Sequence, residues 1–385
     1  MKKSNGILLM VGVYLVAAGL SYLFFSNSSF GKRQMSAPPP VKNANGSLAF
    51  DENLPKTEPC PMNGAKYSTQ QRDWWEKHRP LLVMIENHED SRPQSGISKA
   101  DITYEAVAEG GITRLMNIFY CQDGSIVGPV RSARTYFLDW ASEYGDSPLY
   151  AHVGGANTDG PADALGQIDE YGWGNYNDMN QFSIGFPTFW RDYNRLGADT
   201  ATEHTMYSST GKLWEFAAKS RKLTVVGEDG TKWDVGFTPY TFKDDAAATP
   251  TTKNIRLEMW EGYKDYAIDW TYNKATNDYA RKTGGVAHLD KNTNKQLTAK
   301  TIVVLYQVES RANDGYENNA HLLYDNTGKG KAVVFMDGKE IKANWSKNGR
   351  TGKTIITDSS GKEIAFNRGK LWFEILPLDG ILNVQ

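Results

Sequence analysis

The hydrophobic and polar positions divide the chain into four stretches of different character. The first is a run of 19 uncharged residues from Ile7 to Phe25, ILLMVGVYLVAAGLSYLFF, preceded by Lys2 and Lys3. As a helix this run just crosses a bilayer core ~30 Å thick, and a short flank with two lysines favours the cytoplasmic side. A cleaved signal peptide ending at Val16-Ala17-Ala18 is the competing reading, but its apolar core would be only about nine residues and the run continues past it. Residues 1–25 are therefore expected to form a transmembrane helix. Ser26 to Glu58 is rich in Ser, Asn and Pro, includes Pro38-Pro39-Pro40 and shows no apolar period. Such a segment buries too little surface to offset its chain entropy, so a disordered linker is expected over residues 26–58.

Residues 59–225 alternate strand-like and helix-like patterns. Ser68-Thr69-Gln70-Gln71 has the spacing of a capping box ahead of Trp74 and Trp75. LLVMIE (Leu81 to Glu86) reads as a fully buried strand, followed by strand candidates in ITYEAVA, ITRLMNIFYC and SIVGPV. A helix is predicted from Ala133 to Tyr144, a strand at LYAHVGG, a helix start at Asp159-Gly160-Pro161 and a helix over Lys212 to Lys222. Strands interleaved with helices predict an α/β N-terminal domain with a mixed sheet. From residue 226 the pattern becomes short strands separated by turns: IRLEMW, YAIDWTY, TIVVLYQV, KAVVFMDGKEI, KTIITD and KLWFEILP. Asp337-Gly338 between alternating runs is a hairpin signal, and a β-rich C-terminal domain is expected over 226–385.

Composition narrows the function classes. With 43 basic and 45 acidic side chains the net charge is -2, which supplies no general attraction to nucleic acid. Two cysteines exclude an all-cysteine metal site. Cys60 and Cys121 are expected to form a disulfide in an oxidising compartment, the alternative being two unrelated buried thiols. The six histidines include no pair at helical spacing. GxGxxG, GxxxxGK[ST], HExxH and GxSxG are all missing, so no catalytic signature is present.

The candidate chemistry gathers in the first domain. Arg114 interrupts an apolar strand, and Arg131 and Arg134 lie in GPVRSAR at an expected strand-to-helix turn. Two guanidinium groups near the N–H groups of a helix start favour an anion such as phosphate, with His152 at the end of the next strand. The same arginines could instead pair with Asp139, Glu105 or Glu109 and staple the domain. Asp101, Glu105, Glu109 and Asn87 form a second set that could hold a divalent cation, or that neutralises the arginines. His204 reads as a cap or surface residue. The aromatic stretch from Trp173 to Asn194 suits either sugar stacking or a packed loop.

RPLLVMIENHEDSRPQSGISKADITYEAVAEGGITRLMNIFYCQDGSIVGPVRSAR, with EHTMYSSTGKLW, GKAVVFMDGK and KLWFEILP further on, resembles the YerB-like family of bacterial envelope proteins. That resemblance implies two domains without an assigned reaction and a place in the cell envelope. Family members are often lipoproteins, whereas this chain has no cysteine near its apolar run. A fainter likeness to the LytR-CpsA-Psr envelope transferases rests on the anchored topology and on Arg114, Arg131 and Arg134. The expectation is a single-pass protein of the cytoplasmic membrane with its body on the extracytoplasmic side. It would bind an anionic or glycan ligand, such as cell-wall polymer or its lipid-linked precursor. The alternative is an envelope phosphotransferase or hydrolase using the same arginines and the divalent cation.

Overall fold

The computed structural model describes residues 12–19, 38–43, 47–246, 249–318 and 320–385. The chain divides into two units, residues 1–39 and 40–385. In the first, residues 12–19 are helical, while the remainder of the expected 7–25 span lies outside the described residues. No described helix is long and apolar enough to cross a membrane.

The second unit begins inside the stretch expected to be disordered. Val41–Lys42 pairs with Leu48–Ala49, and Lys56–Pro59 pairs with Lys66–Ser68. The Leu48 amide donates to Asp123, the Asp51 amide donates to Gln70, and the Phe50 ring meets Trp74 edge-on at 5.3 Å. Two isolated apolar residues and a few amides therefore dock residues 47–51 onto the body, a contact that no local period announces.

The body is organised by a ten-stranded mixed sheet. Its strands, in chain order among those named here, are β1 (Leu81–Glu86), β2 (Ile102–Glu109), β3 (Ile112–Phe119), β4 (Leu149–His152) and β5 (Asp178–Asn180). Three strands of a second sheet follow: β6 (Asn254–Glu258), β7 (Ile268–Asn273) and β8 (Asp278–Thr283). The chain then returns to the large sheet as β9 (Thr301–Gln307), β10 (Gly328–Met336), β11 (Lys339–Lys347), β12 (Ile355–Thr357) and β13 (Leu371–Pro377). The spatial order is β5-β4-β1-β3-β2-β13-β9-β10-β11-β12. The two halves meet at β2 and β13, which run parallel with Ile102 opposite Leu371 and Glu105 opposite Glu374. The sheet thus passes straight through the boundary expected near residue 225. The runs TIVVLYQ and LWFEILP are almost continuously buried, as strands covered on both faces must be. The second sheet covers part of this centre, and Trp270 of β7 meets Trp372 of β13 edge-on with centroids 5.2 Å apart.

The helices are few and short. The predicted capping box opens α1 (Thr69–Trp75), with Ser68 accepting from the Gln71 amide. The helix expected over 133–144 is reduced to α2 (Thr135–Ala141). The next begins at Asp163 rather than Asp159, as α3 (Ala164–Glu170), because the Asp163 carboxylate caps the Gly166 amide. α4 (Thr210–Ser220) buries Leu213, Trp214 and Ala217. Beyond residue 226 the only helical turn among the described residues is Lys264–Tyr266, so this half is β-rich as expected. At the β10–β11 turn Asp337 and Gly338 have φ of 56° and 66°, the paired positive angles that an Asp-Gly hairpin accommodates.

Candidate functional site

GPVRSAR, which leads into α2, crosses the ends of two strands. Pro129 accepts from the Glu86 amide, Arg131 donates its amide to Met84, and the Arg131 carbonyl accepts from Val153. The segment is therefore threaded between β1 and β4. Gly128 begins it at φ 140°, where an added Cβ would lie 2.8 Å from the Tyr207 ring and 2.9 Å from the Met206 carbonyl.

This threading brings the three predicted arginines together, and two of them are consumed. Arg114 donates to Glu109 Oε1 at 3.1 Å and to the Ser132 carbonyl. Arg134 donates to the other oxygen of Glu109 and to the Ala133 carbonyl. Arg134 is the N-cap residue of α2, at the expected strand-to-helix turn, but its guanidinium is spent on Glu109 and the Ala133 carbonyl. Burial pushes Glu109 up, but Arg114, Arg134 and Arg131 outweigh it and hold its carboxyl at about 2.

The sign of that shift yields a prediction. The folded value lies below the ordinary 4.5, so the pairing stabilises the protein above pH 4.5 and that stability is lost as pH falls towards 2. At 1.36 kcal/mol per pH unit the loss is on the order of 3 kcal/mol. Denaturant unfolding of Glu109→Gln should show a flatter decline than the parent between about pH 4.5 and pH 2. Identical declines would exclude Glu109 as the titrating group.

Arg131 differs from the other two. Its side chain is 27% exposed, and its Nε lies 3.2 Å from Glu86 Oε1, an ion pair without hydrogen-bond alignment. Among the described residues its guanidinium makes no hydrogen bond. Glu86 Oε2 is 2.9 Å from His204 Nδ1. His204 is accordingly a buried partner of Glu86 rather than a surface cap.

The remaining candidates are dispersed. His152 is fully buried, with Nε2 against Asp178 and Nδ1 against the Gly154 carbonyl, so neither nitrogen is left for a ligand. Asp139 accepts from the Tyr171 hydroxyl and does not pair with an arginine. Asp101 accepts from the Tyr120 and Cys121 amides and from Asn63, and burial pushes its carboxyl up to about 7. Cys60 and Cys121 are bonded beside it, with Cα atoms 6.0 Å apart. Glu105 is buried against Arg281 at 2.6 Å and accepts from Thr113 and Asn87. The predicted cation set is therefore not assembled as one site: Asn87 donates to Glu105, while Asp101 and Glu109 serve two other networks.

Of the aromatic stretch, Trp173 packs against Tyr150 and Tyr171, whereas Phe182 and Phe186 are exposed. Trp190 of the same stretch lines a recess of about 460 Å³ together with Trp74 and Trp214. Arg281 and Glu374 are site residues that the sequence reading does not include. A charge inside an otherwise apolar run, as in LWFEILP, was the signal for Glu374.

Residues 67–224 match the N-terminal domain, and residues 255–373 the C-terminal domain, of the family described as protein of unknown function DUF3048. The chain belongs to the DUF3048, YerB-like family. It is 30% identical over 329 residues to a Bacillus subtilis (strain 168) protein described as "Putative lipoprotein YerB", covering 83% of this chain and 86% of the relative. The crystal structure of YerB from Bacillus subtilis superposes with a TM-score of 0.68 at 27% identity, covering 85% of this chain and all of that one. The two DUF3048 domains meet in one sheet here, since β13 of the second pairs with β2 of the first. These matches lend no support to the LytR-CpsA-Psr likeness.

Proposed function

We propose that the protein is an envelope-associated member of its family, held at the membrane by its N-terminal apolar run with the body on the extracytoplasmic side, and that it binds an anionic ligand at Arg131. The location is supported by the Cys60–Cys121 bond, which persists in oxidising compartments, and by the lipoprotein description of its Bacillus relative. The ligand reading rests on one observation: Arg131 is part-exposed and its guanidinium makes no hydrogen bond among the described residues. Arg114 and Arg134 stand behind it with Glu109 between them, so three arginines face the two carboxylates Glu86 and Glu109. A planar guanidinium with free donors beside this excess of positive charge suits a phosphate or carboxylate.

Inorganic pyrophosphate is a direct probe. Calorimetric titration of the full chain in detergent is expected to show binding that Arg131→Gln weakens at least about tenfold, the loss of one charge-assisted contact. Equal affinity in the two proteins would remove Arg131 as the anion site.

A further inference from the structure

We infer a second site beside the first, for a divalent transition metal such as zinc, built from His88, Asp90 and His204. One potential ligand atom from each of these residues lies within 4.8 Å of the others. His88 and Asp90 share one short turn, and His204, more than a hundred residues further on, is brought to them by a second. His88 caps the turn Glu89–Ser91 just after β1, and His204 ends the turn Thr202–His204.

His204 Nδ1 lies 2.9 Å from Glu86 Oε2, a contact that leaves Nε2 as the ring nitrogen without a carboxylate partner. A carboxylate holding the far nitrogen of a histidine is the usual outer support of a metal-bound imidazole, fixing tautomer and orientation. His88 stacks on His204 with centroids 4.9 Å apart and planes at 19°, and its Nδ1 accepts from the Asp90 amide. Coordination requires the His88 ring to swing out of the stack and release that amide. The ring lies on a one-turn helix with 28% of its side chain exposed, which allows the movement. Asp90 is 71% exposed and meets His88 Nδ1 at 3.6 Å.

Two imidazoles and one carboxylate form a borderline donor set that favours zinc, cobalt or nickel over magnesium or calcium, which demand oxygen ligands. Three protein ligands at an exposed edge leave a coordination position open to water or an anion. The site does not rest on the anion reading: the two share Glu86, but the pyrophosphate and metal titrations report on them separately.

The test is a cobalt(II) titration of the full chain in detergent after chelator treatment, followed by ligand-field absorption. A single equivalent is expected to bind. His88→Ala and Asp90→Asn, both on an exposed turn, should each weaken binding at least about tenfold, and His204→Gln should abolish the bands. Glu86→Gln, which removes only the outer support, should weaken binding about 10–100-fold while leaving the band positions unchanged. No cobalt bands in the parent protein, or equal binding by the parent and His88→Ala, would overturn the site.

Discussion

Arg281→Ala is expected to destabilise the protein by roughly 3–5 kcal/mol, the cost of leaving buried carboxylates without their cation. Arg281 is fully buried and donates to Glu105 at 2.6 Å and to Glu374 at 2.9 Å. Its guanidinium stands 4.5 Å from the centroid of the Trp372 ring and 5.1 Å from that of Trp270. Its Nε donates to His288 Nδ1, and His288, kept neutral by burial, donates its Nε2–H to Gln94 Oε1. Glu105 and Glu374 are register partners on β2 and β13, so without the arginine two buried acids face one another across the junction of the halves.

Glu374→Gln is the informative contrast. Burial, and then Glu105, push the Glu374 carboxyl up to about 8. A raised carboxyl holds a proton that the unfolded chain gives up above its ordinary 4.5, so stability falls as pH rises from about 4.5 to about 8. Glutamine mimics the protonated form and should flatten that decline, with a far smaller loss than Arg281→Ala. Urea unfolding across this pH range measures both. A loss below about 1 kcal/mol for Arg281→Ala would show that the triad is not the joint it is taken to be.

Removing the disulfide, as Cys60→Ser with Cys121→Ser, is expected to cost about 4 kcal/mol on the chain-entropy model for so long a loop. The bond spans 61 positions and ties the residue after the strand Lys56–Pro59 to the segment just beyond β3. Asp101 reinforces it by accepting from the Tyr120 and Cys121 amides. Reductant should lower the unfolding midpoint of the parent and leave the double variant unmoved. A midpoint in the parent that ignores reductant would remove the argument from this bond to an oxidising compartment.

Much of the local architecture was legible because it depends on short-range chemistry. The Ser68–Gln71 capping box, the buried run LLVMIE and the Asp-Gly turn all form where their residues predict. The arginine cluster was legible in part. GPVRSAR identified Arg131 and Arg134, and the expected pairing with Glu109 forms, but Arg131 meets Glu86 instead, and Asp139 and Glu105 bond elsewhere. A carboxylate carries no mark of which cation it will meet. Residues 47–51 were read as tether because two apolar residues make no period, yet a waiting Trp74 is enough to dock them.

By itself the sequence determined the apolar N-terminal run, the change from α/β to β-rich character near residue 225, and the family. Each depends on composition or on residues close along the chain. Only the tertiary structure decided that one sheet joins the two halves, since strand partners at 102–105 and 371–374 are far too distant for any local period to pair. It alone brought His88, Asp90 and His204 together, and set Arg281 between two acids. Those are long-range contacts, and their energy comes from burial and charge neutralisation that exist only once the chain has folded.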